Sequence, residues 1–117
     1  MKGYVNMPKR SVFDMPFTKI YSLLTAKAES KGRTKYEVDE IIMWLTGYES
    51  IAAVGDVSYG EFLANAPVWN PRSELITGSI CGIKVEDIED PMTKKMRQLD
   101  KLIDELAKGK AVEKMKR

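Results

Sequence analysis

Four groups of residues in this chain carry side chains that could do chemistry. The acidic run "VEDIEDP" presents Glu86, Asp87, Glu89 and Asp90 immediately before a helix. Carboxylates so gathered could hold Mg²⁺ or act as an acid/base pair, and Glu86, Asp87 and Asp90 are the metal candidates. The same acids also belong at a helix N-terminus, where they complement the macrodipole, with Asp90 as N-cap. A second group, Arg33 with Trp44, Tyr48 and Trp69, could line a ligand pocket. Its aromatics would stack on a planar molecule while the guanidinium paired an anion; as core anchors they need no ligand.

The third group is "TGSICG", where Thr77, Ser79 and Cys81 stand among glycines. A small-anion cradle or a reactive thiol are the chemical options, yet the segment lacks the Lys-Ser/Thr ending of a phosphate loop. An inert cysteine beside tight packing explains the same residues. The fourth is a set of basic ends: Lys2, Lys9 and Arg10 at one terminus, and Lys108, Lys110, Lys114, Lys116 and Arg117 at the other. They could contact nucleic-acid phosphates, although no DNA-binding motif accompanies them and solvation accounts for them equally.

Composition narrows these options. The chain has 117 residues, 44% apolar and 31% charged, the proportions of one ordinary globular domain. It contains no histidine and one cysteine. That excludes Ser-His-Asp and Cys-His arrangements, His-bearing zinc sites and an intrachain disulfide. No cofactor motif is present, and no cofactor is expected. The net charge of +2 conceals a strong asymmetry. Residues 1–33 carry seven basic and two acidic side chains, residues 34–90 three and eleven, and residues 91–117 nine and four. No apolar run approaches the roughly 18 residues of a membrane span, and the N-terminus lacks a signal-peptide core. The expectation is a cytoplasmic protein without membrane contact.

The elements that must position these side chains read as helices. Residues 1–16 lack a period and read as an arm, with Asp14 and Pro16 signalling helix entry. Phe17, Ile20, Tyr21, Leu24 and Ala28 then form one stripe, stopped by Gly32. Thr34 and Glu37 have capping-box spacing, Val38, Ile41, Ile42 and Leu45 form a stripe, and Gly47 is placed as the C-terminal cap. Tyr36 and Met43, with Trp44 more laterally, lie toward the opposite face of that helix. This second face is expected to meet another element of the fold or a partner.

Ser58 and Glu61 repeat the capping box before a short helix ended by Pro67. Asn70-Pro71 opens a further element, for which helix is favoured through Ile80, with a strand through "ITGSICGIKV" as the alternative. Asp90-Pro91 opens the longest helix, in which Met92, Met96, Leu99, Ile103 and Leu106 recur at 4-3-4-3 spacing. That stripe either packs in its own domain or forms a short dimeric seam. The last residues, 110–117, read as a frayed basic tail.

"KGRT..EVD.II.WLTGY" and "ITG..CG..VE.IEDP…LDKL.DELAKGKA.EK", in this order, resemble a small bacterial family catalogued only as a domain of unknown function, number 2200 of its series. The resemblance covers most of residues 17–115, and residues 49–60 fit it least. It implies a compact, mainly helical domain and brings no catalytic residues.

The expectation is therefore an all-α fold, a compact orthogonal bundle of about five helices with a long C-terminal helix. Residues 1–16 form the arm, 17–109 the domain and 110–117 the tail. The function expected is a non-enzymatic protein-interaction or self-associating module, with Tyr36, Met43, Met96 and Ile103 as interface residues and a second copy as one possible partner. The alternatives are a weak nucleic-acid binder and a carboxylate or metal-assisted enzyme.

Overall fold

Pro16 stands at the N-cap of the first helix with its φ at −58°, where its missing amide costs nothing. In the computed structural model, which describes residues 11–117, α1 (Phe17–Glu29) follows directly. Phe17, Ile20, Leu24 and Ala28 form its buried stripe. The chain reverses through Gly32, whose φ is +84°.

α2 (Lys35–Thr46) begins at the capping box read from the sequence: Glu37 N–H donates to Thr34 Oγ1, and Thr34 N–H donates to the Glu37 carboxylate. Val38, Ile41, Ile42 and Leu45 are fully buried. Gly47 ends the helix in the left-handed region at φ +82°. A Cβ at this glycine would stand 2.7 Å from the Val68 amide nitrogen, so the close approach needs glycine as much as the torsion does.

α3 (Tyr59–Ala64) also starts at a reciprocal box, between Ser58 and Glu61. It brings Phe62 into a stack with Phe17 at 4.2 Å and with Tyr48 at 5.3 Å between ring centroids. A single 3-10 turn, Val12–Asp14, precedes α1 and packs on α3. Phe17 N–H donates to the Val57 carbonyl and Tyr59 N–H to the Met15 carbonyl, tying the two segments together. The part of the expected arm from Ser11 to Pro16 is therefore attached to the domain; the remainder lies outside the described residues.

Asn70 caps a single 3-10 turn, Pro71–Leu75, by accepting from Arg72 N–H. The helix expected to continue through Ile80 does not. Residues 79–84 form an antiparallel hairpin of β1 (Ser79–Ile80) and β2 (Ile83–Lys84), with Ile80 opposite Ile83. Cys81 and Gly82 make its turn, with φ of 53° and 79°. Two consecutive positive φ values suit a two-residue hairpin connection and are incompatible with a helix. The β-branched isoleucines and Gly78, with φ at +105°, act in the same direction.

Asp90 caps α4 (Pro91–Ala107), an element of 17 residues and roughly 25 Å. Leu99, Leu102, Ile103 and Leu106 are fully buried, each contributing about 1.5–3 kcal/mol. α4 lies against α1, α2, α3 and the hairpin, so Leu99, Leu102, Ile103 and Leu106 fill the domain's own core, while Met92 and Met96 of the same stripe are half-buried. Gln98, also buried, is satisfied at both ends: Nε2 donates to the Ser73 carbonyl and Oε1 accepts from Trp69 Nε1.

The chain ends in α5 (Val112–Met115), a single turn that packs on α4 and α2. Met115 is fully buried. Arg117 makes a two-pronged ion pair with Glu105, at 2.7 and 3.0 Å, and its carbonyl accepts from Arg72. The expected fraying of the tail is corrected here, because one apolar anchor and one bidentate pair fasten it. The result is an all-α fold of five α-helices with the long one near the C-terminus, and the hairpin is the only sheet among the described residues.

Candidate functional site

Two of the acids singled out from the sequence, Asp90 and Glu86, are engaged with the backbone, while Asp87 and Glu89 are exposed. Asp90 accepts from Thr93 Oγ1 at 2.7 Å and Thr93 N–H at 2.9 Å, and these bonds lower its pKa. Glu86 accepts from Gly78 N–H at 3.0 Å, and that bond lowers its pKa. It thereby ties the single turn Val85–Asp87, on which Asp87 is exposed, to the hairpin. No three Asp, Glu or Cys side chains among the described residues are grouped so as to hold a metal ion.

Arg33 clamps two helix ends. Its guanidinium meets Glu37 with Nη2 to Oε2 at 2.7 Å and Nε to Oε1 at 3.1 Å. Nη1 donates to the carbonyls of Leu106 and Lys110, each at 2.8 Å. These are carbonyls at and just beyond the C-terminus of α4, where intrahelical donors have run out. The Arg33 bond holds Glu37 down to a pKa of about 2, aided by the Thr34 amide.

The aromatics grouped with Arg33 lie elsewhere. Trp44 stands eleven residues along from Arg33, roughly 16 Å at the helical rise. Its carbonyl accepts from Asn70 Nδ2. Tyr48 is half-buried against Phe62 and its hydroxyl donates to the Phe62 carbonyl at 2.9 Å. Trp69 donates to Gln98 and carries the Lys95 ammonium 5.1 Å above its ring. The three rings thus lie by the C-terminal end of α2, the middle of α4 and α3, while Arg33 holds the opposite end of α2.

Of the interface residues, Tyr36 is 84% exposed and Met43 is half-buried. Ile103 is fully covered by its own domain and offers no surface to a second chain. Met96, half-buried, lines a hollow that sequence reasoning did not find. Four of the five basic residues of the C-terminal segment are paired: Lys108 with Asp104, Lys110 and Arg117 with Glu105, and Lys116 with Glu40, while Lys114 is exposed. Lys2, Lys9 and Arg10 fall outside the described residues.

The hollow measures about 280 Å³ and lies between α1 and α4, closed by the first 3-10 turn and the start of α3. Val12, Ile20, Leu23, Leu24 and Met96 supply an apolar lining; Tyr59, Arg97 and Asp100 add three polar groups. Leu23 is 56% exposed. Arg97 Nη1 meets Asp100 Oδ2 at 3.2 Å, one helical turn along α4.

Three buried side-chain polar atoms lack a hydrogen-bond partner among the described residues: Thr25 Oγ1, Tyr59 Oη and Arg97 Nε. The last two belong to residues lining the hollow. Tyr59 is 1% exposed, and burial pushes the pKa of its hydroxyl up, with Asp100 adding to the shift and Arg97 opposing it. Burial also raises the Asp100 pKa against the pull of Arg97. Buried polar groups are ordinarily paired, so two orphans on one small cavity need a reason. Of its lining, the sequence marks Met96 as an interface residue, and Leu23 is an apolar residue flanking the buried stripe of α1. The pieces come from four separate segments, which no local period joins.

A family described as an uncharacterized protein conserved in bacteria (DUF2200) matches residues 11–117, and the chain belongs to it. Its architecture is similar to the crystal structure of uncharacterized protein SP1917, at 42% identity and a TM-score of 0.84. That likeness covers 92% of this chain and 93% of the other. Curated proteins give no match. No helix among the described residues is long and apolar enough to cross a membrane.

Proposed function

We propose that this domain is a non-enzymatic binding module that engages a protein partner through the α1–α4 face around the hollow. The observation that carries this reading is an apolar hollow beside the exposed Leu23, two of whose lining residues, Tyr59 and Arg97, each hold a buried polar atom without a hydrogen-bond partner among the described residues. Elsewhere several of the polar residues are engaged in holding the fold. Arg33 and Glu37 join two helices, Asp90 caps one, and Glu86 fastens the hairpin. A carboxylate enzyme using Glu86 or Asp90 would have to detach them from the fold, and a nucleic-acid binder would compete with the ion pairs of Lys108, Lys110, Lys116 and Arg117, whereas Asp87 and Lys114 are exposed.

Placing a photo-crosslinking residue at Leu23, with Glu49 as an exposed control position, tests this reading in producing cells. A discrete crosslinked protein specific to Leu23 is the expected outcome. Equal labelling at both positions, or none at Leu23, contradicts it. Sedimentation of the purified protein separates self-association from a different partner: a second copy as partner gives a dimer that a charge at Leu23 dissociates.

A further inference from the structure

We infer that the α1–α4 hollow receives one large apolar side chain from a partner's peptide segment, whose adjacent main-chain carbonyl accepts hydrogen bonds from Tyr59 Oη and Arg97 Nε. This rests on the binding-module reading and names what the module recognises.

The size of the hollow sets the first condition. At about 280 Å³ it lies just below the range of roughly 300–1,000 Å³ typical of small-ligand sites. It suits a side chain and a peptide unit better than a nucleotide or a larger cofactor. Val12, Ile20, Leu24 and Met96 offer that occupant an apolar wall.

The polar atoms set the second condition. A guanidinium nitrogen can only donate, and a tyrosine hydroxyl without a partner is free to donate. The group that completes both is an acceptor. Asp100 decides its charge, because that carboxylate already balances Arg97 across 3.2 Å. A carboxylate occupant would bring a second, uncompensated negative charge into a partly desolvated place. A neutral carbonyl leaves the balance intact. An apolar side chain beside an uncharged carbonyl is the repeating chemistry of a peptide.

Tyr59 Oη and Arg97 Nε are both covered from solvent, so occupation includes a displacement of the lining. Met96 is suited to it, being half-buried, unbranched and able to change rotamer at low cost.

The probe is N-acetyl-leucine methylamide, titrated into the full chain carrying ¹³C-labelled methyl groups on methionine and leucine. Saturable shifts at Met96 and Leu23, ahead of the other methyls, are expected. N-acetyl-glycine methylamide, which lacks the side chain, should bind at least about tenfold more weakly. Tyr59→Phe keeps the ring and should weaken binding about three- to tenfold, the effect of one hydrogen bond, without loss of stability.

Absence of saturable shifts at Met96 and Leu23 would overturn the inference, as would equal affinity in Tyr59→Phe. Tighter binding of N-acetyl-leucine, with its free carboxylate, would reassign the hollow to a small anion and overturn it too. If the probe fails while Leu23 crosslinks persist, the binding-module reading survives and only the chemistry assigned to the hollow falls. Loss of both removes both.

Discussion

Tyr59 and Arg97, one on α3 and the other on α4, line the same small cavity, and each holds a buried hydrogen-bonding atom without a partner among the described residues. Arg33 and Glu37, at the far end of the bundle, are the opposite case, with every contact made inside the domain. That contrast separates polar groups engaged in holding the fold from polar groups left for something else.

Glu37 should make the protein acid-sensitive in a defined window. Its folded pKa of about 2 lies below its ordinary value of 4.5, so its stabilising contribution is complete above about 4.5. It is lost progressively as pH falls from there through about 2. Thermal melts between pH 6 and pH 2 should show Glu37→Gln with a lower Tm at neutral pH and a shallower decline in acid. Parallel curves for variant and parent would refute the assignment.

The docked C-terminus predicts a cost for Met115→Ala of about 2–5 kcal/mol in urea unfolding, as for a core residue. A change within 0.5 kcal/mol, as at ordinary surface positions, would mean the tail is not held.

Cys81 occupies the first position of the hairpin turn at φ 53°, where asparagine is tolerated better. Cys81→Asn creates the Asn-Gly pair favoured in such turns. It should raise stability by up to about 1 kcal/mol and leave the helices unchanged by circular dichroism. A helical segment at 76–82 would instead make this change destabilising.

How much of this was legible follows from the range of each signal. Thr34 with Glu37, Ser58 with Glu61, Asp90 and Gly47 are local devices, satisfied within four residues, and the structure has each where the spacing places it. The stripe from Leu99 to Leu106 was equally plain because one helical period exposes it. Over residues 75–84 the strand alternative, and not the favoured helix, is the one the structure bears out, and the two were hard to separate for a comparable reason. Ile76 and Ile80 are both buried, as a helix would also bury them, and only the turn torsions at Cys81-Gly82 separate the two outcomes.

The candidate site was the least legible part. Arg33, Trp44, Tyr48 and Trp69 have the side chains of a ligand pocket, but the first lies at the other end of α2 from the rest. The hollow between α1 and α4 depends on helix pairing, and nothing at Val12, Tyr59 or Arg97 announces in sequence that they meet. Tyr59 reads as one more aromatic until its hydroxyl is seen without a partner.

Urea unfolding of Tyr59→Phe beside Arg33→Met tests most directly whether polar groups divide in this way. Arg33→Met should cost about 2–3 kcal/mol, because it strips charged hydrogen bonds that join α2 to α4. Tyr59→Phe should cost nothing or add up to about 1 kcal/mol, because it removes a buried hydroxyl without a hydrogen-bond partner among the described residues. A loss of about 1 kcal/mol or more in Tyr59→Phe would show that its hydroxyl already serves the fold, and the hollow would lose its claim as a binding surface.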